Sequence, residues 1–429
     1  MLKVRNYLKE NCDTLFFILL IVLAAYLLTH HPGTDFDSAG YIRGDITRPP
    51  LDTLFIRSFA WASQYQFEWV MWVQGAITFF ALIYAKNRMK KKLLIPNSSI
   101  ALVYIFTLIT ILFHYQIRDI DPEGLTFPLF IFIFFITIEC FQENSIKKII
   151  TLSILVSLLI LLRSQFYFYY AVYITLIGWI FIKKSPTKYI IMCVIVFTSS
   201  ALLTDMADRS YHYFKNGYFM KEPFFGMISV VQPLFLSNQN AYLLFQSNQE
   251  KLYVKTVLNE MNKRKLYNNP SDPYEEIYRH YNLNYNKILK IVFKTYSHQV
   301  GDDVGSVPKS TLINMNRTTQ RVTKILFLNN MVQNIKLYFY KIMDANGGIL
   351  FISLYLIISF LAIKKFIFTK NSFVNYSELF VTLSILVSFF NEMLVDVVEP
   401  NLTAYYCYTQ FLLYCLGAYF VKLVFIKND

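Results

Sequence analysis

The stretch Leu15–His31, LFFILLIVLAAYLLTHH, holds no carboxylate, lysine or arginine, and Asp35–Leu51, DFDSAGYIRGDITRPPL, follows it with Asp35, Asp37, Arg43, Asp45 and Arg48. An apolar run of this kind approaches the ~20 residues a helix needs to cross the hydrocarbon core of a bilayer. Charged groups are costly inside that core, so the second stretch belongs at its surface. Backbone groups that meet no water must bond within their own segment, which makes the run a helix. The unit to look for elsewhere is therefore a span that empties into a charged loop.

Composition says the unit recurs. Of 429 residues, 55% are hydrophobic and 16% charged, with a mean hydropathy of +0.38, more apolar than a soluble domain needs to fill its core. Apolar windows fall at about 14–30, 68–85, 98–115, 124–141, 148–162, 166–182, 188–204, 348–363, 373–391 and 403–421. They predict an all-α polytopic membrane protein with about ten transmembrane helices. The aromatic share of 18% suits spans whose ends sit in interfacial belts. No small-residue cleavage site follows the first run, so it is expected to be a retained span. Three regions follow: 1–204, an N-terminal transmembrane module with external catalytic loops; 205–347, a large external loop or cap; and 348–429, a C-terminal transmembrane module.

Ten spans put both ends on one side, and the basic residues say which. Lys3, Arg5, Lys9, the cluster from Lys86 to Lys92, Lys147, Lys148, Lys183, Lys184, Lys188, Lys364, Lys365, Lys370, Lys422 and Lys427 all fall on that side. The short segments opposite hold Arg43, Arg48, Arg57, Arg118 and Arg163 and no lysine. The positive-inside rule places both termini in the cytoplasm. A net charge of +13 then reflects topology and gives no reason to invoke nucleic acid. The cysteines form no CxxC pair and are expected to serve packing. In the cap, FFGMISVVQPLFL and ILFLNNMVQNIKLYFYKIM are broken by proline or polar residues and read as helices near the interface rather than as spans.

The external segments concentrate carboxylates: Asp35, Asp37, Asp45 and Asp52 after the first span, Asp119, Asp121 and Glu123 after the third, and Glu392, Asp396 and Glu399 after the ninth. Arg48, Arg118 and Arg163 accompany them. Burying such groups beside a span end is expensive without partners. Carboxylates matched by arginines of bidentate geometry make a set able to activate a hydroxyl and hold a phosphate.

DSAGY…TRPPL in the first external loop resembles the D…Y…R-P-P signature of GT-C fold, lipid-carrier-dependent glycosyltransferases. DPEGLTFPLF at the fourth span is similar to the second acidic motif of that class, and Arg163 resembles a basic position found there. In layout the chain is also similar to bacterial O-antigen-modifying glucosyltransferases. One departure is that an Arg-Tyr pair entering a late span is replaced here by NLTAYYCYTQ, with Tyr405 and Tyr406 and no arginine.

The resemblance implies a polyprenyl-phosphate-linked sugar donor, a cell-envelope glycan acceptor, and inverting transfer at the periplasmic face of a bacterial inner membrane. It implies Asp37 as the base, with Asp121 and Glu123 as the other catalytic carboxylates, and Asp35, Tyr41, Arg48, Arg118, Asp119 and Arg163 as substrate contacts. No cofactor is required, although Asp37 with Asp121 or Glu123 has the hard oxygen donors a divalent metal takes. Two rivals stand beside this reading. An O-antigen polymerase or ligase shares the spans and the basic external loop. A transporter would keep ionisable groups near mid-membrane, where these spans have almost none.

Overall fold

A computed structural model describes residues 2–34, 37–114, 117–267, 271–297, 307–350, 375–400 and 403–425, with a few isolated residues between 352 and 364. Every regular element among the described residues is a helix; the one sheet-like contact is a single bridge between Gly33 and Asp119. Six stretches are long and apolar enough to cross a membrane: Ala60–Lys92, Glu123–Gln142, Ser164–Ile182, Thr187–Asn216, Tyr376–Val398 and Tyr405–Val424. The chain is thus an all-α protein of multi-pass type.

Six of the ten expected spans are matched by these stretches, and three more are apolar helices of shorter length. Thr14–Thr29 is the apolar part of helix α1, Leu2–Thr29. Asn97–Phe113 joins α5, Asn97–Ile109, to a π turn at Thr110–His114. Helix α7, Ile146–Leu162, has 17 residues. Half of the expected span at 348–363 lies outside the described residues.

Helix α6, Glu123–Gln142, is the centre of the bundle, with 83% of its apolar window buried. Phe127, Phe130, Phe134 and Phe135 on it are all fully buried, against α4, Gln66–Lys92, on one side and α7 on the other. Peripheral helices show the opposite pattern. On α1, Phe16, Leu20, Leu23 and Leu27 face inward at helical spacing, while Phe17, Ile21 and Leu28 face out. On α9, Thr187–Asn216, Ile195, Leu202 and Leu203 face out, and 22% of the apolar window is buried. Apolar residues outside as well as inside are what lipid contact requires.

The ends of the bundle differ. At one, Arg88 and Lys148 close on Glu139 at 2.7 and 2.9 Å, Lys148 also reaches Glu143 at 2.8 Å, and Lys86 sits 4.0 Å from the Phe16 ring centroid. The other end carries the acidic segments and a helical cap with a separate core. That core joins α12, Asn248–Lys263, and α13, Tyr274–Ser297, to α14, Lys309–Asn329, and α15, Met331–Ala345. Val254, Val257, Tyr281, Ile288, Val322, Leu326 and Leu337 fill it.

The two apolar cap segments part company. FFGMISVVQPLFL forms two short helices, α10, Phe225–Ser229, and α11, Val231–Phe235, and Gly226 to Leu236 are buried in the cap rather than laid on an interface. Proline at 233 and tight packing on α14 explain the difference. The second segment keeps an exposed apolar face, with Met331, Val332, Ile335 and Phe339 on α15. Lys341 on the inner face of α15 is fully buried and donates to the Glu399 carbonyl at 3.1 Å; burial pulls its ammonium below the usual lysine value. This lysine fastens the cap to the end of the Tyr376–Val398 helix.

Candidate active site

The loop after α1 builds the first wall. Gly33 exchanges backbone hydrogen bonds with Arg118 and Ile120 at 3.0 Å each, and a Cβ on it would sit 2.0 Å from Asp119 Oδ1, so a larger residue would require the Asp119 carboxylate to move. Helix α2, Ser38–Arg43, ends at Gly44 with φ +70°, whose N–H donates to the Gly40 and Tyr41 carbonyls. That left-handed cap reverses the chain. Arg48 then returns onto α2, with Nη2 2.5 Å from Asp37 Oδ1 and the guanidinium 5.1 Å from the Tyr41 ring centroid. Pro50 at the first turn of α3, Pro50–Ser58, stiffens the exit. Burial opposes the Arg48 charge, but Tyr41 and Asp37 hold it above the usual arginine value.

The second wall is the turn between α7 and α8, Tyr169–Ile182. Arg163 breaks α7 with extended dihedrals, φ −155° and ψ 120°, and forms an ion pair with Glu123 at the start of α6. Both side chains are largely buried, 13% and 8% exposed. The guanidinium lies 4.5 Å from the Tyr405 ring centroid. Gln165 locks the turn by donating to Asn391 Oδ1 at 2.6 Å and to the Tyr405 carbonyl at 2.8 Å.

Between these walls and the cap lies a cavity of about 790 Å³, within the range of small-molecule sites. Its polar lining is Asp37, Tyr41, Arg48, Arg163, Ser164, Tyr167, Asp208, Lys221, Glu222 and Glu399. Its apolar lining comes from Ile160 and Leu161 at the end of α7, Leu394, Val395 and Val398 at the end of the Tyr376–Val398 helix, and Ile228, Leu289 and Phe293 from the cap. Helix α13 lays Tyr285, Leu289 and Phe293, four residues apart, along its roof, with Lys290 and Lys294 beside them. Burial pushes the Glu222 carboxyl up to about 7 and raises that of Glu399 above the ordinary range.

The residues singled out in the sequence divide into three groups. Asp37, Tyr41, Arg48 and Arg163 line the cavity together. Asp121 and Glu123 stand behind it: Asp121 Oδ1 accepts the Glu123 N–H at 3.0 Å, and Glu123 is held by Arg163. Both are buried at 6% exposure; the first accepts at the start of α6, the second anchors Arg163, and neither lines the cavity. Arg118 and Asp119 belong to the Gly33 bridge and do not line the cavity. Asp35 lies outside the described residues.

Glu399, Glu222, Asp208, Lys221 and Tyr285 were not singled out as site residues, although Glu399 stood among the external carboxylates. The others come from α9 and the cap, which the sequence separates widely from the first loop. Among the described residues no three His, Cys, Asp or Glu side chains form a group fit for a metal. Of the carboxylates named as possible donors, Asp37 and Glu123 pair with arginines, and Asp121 Oδ1 accepts the Glu123 N–H.

No family model, curated protein or solved structure matches the chain.

Proposed function

We propose that the protein is an integral membrane glycosyltransferase that moves a sugar from a polyprenyl-phosphate donor to a cell-envelope glycan. The observation that carries this reading is the cavity at one end of an apolar bundle, lined both by Arg48 and Arg163 and by aliphatic residues at the ends of apolar helices. A lipid-linked phosphate likewise joins a charged group to an apolar chain. The aliphatic lining suits the start of the prenyl chain, and the guanidiniums suit the phosphate, which they recognise through paired hydrogen bonds.

In the proposed reaction an acceptor hydroxyl oxygen attacks the anomeric carbon from the face opposite the phosphate. The bond from that carbon to the phosphate oxygen breaks, the configuration inverts, and the lipid phosphate departs. Asp37 takes the hydroxyl proton. Arg48 and Arg163 balance the charge that grows on the phosphate, and this counts for most in a site closed off from water. The lysine-rich end of the bundle is assigned to the cytoplasm and the cavity to the periplasmic face of a bacterial inner membrane, by the charge asymmetry of the connections. Carbohydrate polymerase or ligase activity is the second reading, favoured by Lys290 and Lys294 on the cavity roof.

The test is to incubate the purified full-length protein with a panel of polyprenyl-phosphate sugars and a glycan acceptor. The expected result is acceptor-dependent release of free polyprenyl phosphate, with Arg48→Lys raising the donor KM roughly tenfold through the loss of a charged hydrogen bond. Consumption of a polyprenyl-diphosphate glycan with no use of any monophosphate donor would favour the polymerase or ligase reading.

A further inference from the structure

Helix α9 buries one stripe along its length, and near the cavity that stripe turns polar with a four-residue repeat: Thr204, Asp208, His212 and Asn216. His212 is fully buried and Asp208 is 7% exposed. The Asn216 amide nitrogen lies 3.0 Å from His212 Nδ1. An amide nitrogen only donates, so Nδ1 accepts and the ring hydrogen sits on Nε2. Nε2 approaches Asp208 Oδ1 at 3.3 Å, outside hydrogen-bond geometry, and among the described residues the buried Oδ1 has no hydrogen bond. Asp208 also lines the cavity.

Glu222 faces the cavity from the same region, where it accepts a hydrogen bond from Ser164 and feels the charge of Asp208. Lys221 holds the backbone there, reaching Asp205 at 2.6 Å and the Tyr167 hydroxyl at 3.1 Å. Two carboxylates line this region near the Tyr167 phenol, one of them packed against a buried imidazole, and both can accept hydrogen bonds from the hydroxyls of a sugar ring. Carboxylates accept several hydrogen bonds each, and those to a charged acceptor are the stronger kind.

We propose that Asp208, packed against His212, and Glu222 form the hydroxyl-recognition wall of the cavity, a subsite for a neutral pyranose. Asp208 and Glu222 touch the sugar; His212 is a positioning residue. The subsite deepens the glycosyltransferase reading and rests on it for one point, which of the two sugars, donor or acceptor, lies there.

Binding is tested without turnover, by saturation-transfer difference NMR on the full-length protein with a panel of neutral methyl pyranosides. At least one glycoside is expected to give a signal that Asp208→Asn and Glu222→Gln each reduce severely and His212→Gln reduces in part, while Lys91→Ala at the far end leaves it intact. Glu222 is only half-buried, so its variant reports even if a change on α9 prevents folding. No signal from any pyranoside, or equal signals from wild type and both carboxylate variants, overturns the subsite. In the transfer assay a KM increase of roughly 10- to 100-fold for the donor or for the acceptor, with kcat little changed, says which sugar it holds. A wild type that binds glycosides but uses no lipid-linked donor would remove the transferase reading and leave the subsite standing.

Discussion

The two ends of the bundle handle charge in different ways. At the lysine-rich end Glu139 is shared by Arg88 and Lys148, a compact cluster partly open to solvent. At the cavity end each arginine meets a carboxylate and an aromatic surface: Arg48 meets Asp37, Tyr41 and Phe224, and Arg163 meets Glu123 and Tyr405. Both arginines border an open volume instead of closing it. Ion pairs at the first end anchor helices to an interface. Those at the second keep charged groups in place beside a space that a substrate can enter, which is the arrangement catalysis uses when preorganised charge must wait for a reacting bond.

The comparison breaks most visibly if the ends face the same compartment. In cysteine-free protein, a cysteine placed at Lys91 is expected to be protected from a membrane-impermeant thiol reagent in intact cells, and one at Ser271 in the cap is expected to be labelled. Both are exposed positions. Labelling at 91 with protection at 271 would reverse the orientation and move the cavity to the cytoplasmic side.

Removing an arginine from each end should sharpen the contrast in stability. Arg163→Ala leaves the buried Glu123 carboxylate without its partner, which costs about 3–5 kcal/mol and should appear as a large fall in Tm and in folded yield. Arg88→Ala leaves Glu139 with Lys148 at 2.9 Å, so the loss should stay below about 1 kcal/mol. Comparable losses at the two sites would say that both clusters are ordinary anchors.

Asp52 gives a pH-dependent test of the same end. It is fully buried on α3, neither carboxylate oxygen has a hydrogen-bond partner among the described residues, and burial pushes its carboxyl up to about 7. The folded state then holds the proton more tightly than the unfolded chain does. Its contribution is complete below the unfolded value of ~4 and is lost as pH rises through about 7. Asp52→Asn stays neutral throughout, so it should raise Tm at pH 8, by stabilisation on the order of 2–4 kcal/mol, and change it little at pH 4. Equal shifts at both pH values would mean that the carboxylate is not confined as the packing indicates.

Span ends and the first polar wall could be read along the chain because their signals are local. Asp37, Tyr41 and Arg48 lie within one reversal of backbone, and a charge beside an apolar run marks a boundary wherever it occurs. Asp121 and Glu123 carry the same local signal, yet one accepts at a helix start and the other holds Arg163. Sequence alone does not distinguish a carboxylate aimed into a cavity from one aimed into a neighbouring helix, since tertiary packing decides it. Asp208, Glu222 and the α13 roof reach the site only through the docking of the cap. The repeat of Asp208, His212 and Asn216 at four-residue spacing was the available trace of a polar stripe, and the histidine in it reads as an ordinary surface residue until burial is known.

The most direct test of the account is the transfer rate of Asp37→Asn compared with Asp45→Asn in the same membrane preparation. Asp45 pairs with the exposed Arg43 at 2.9 Å in the same loop and does not line the cavity. Asp37→Asn removes the proposed base with almost no change of shape, so transfer should fall by ~10²- to 10⁴-fold at normal abundance, while Asp45→Asn, equally isosteric and off the cavity wall, stays within about twofold of wild type. Near wild-type transfer by Asp37→Asn would contradict the central claim and require the proton acceptor to be sought elsewhere on the cavity wall.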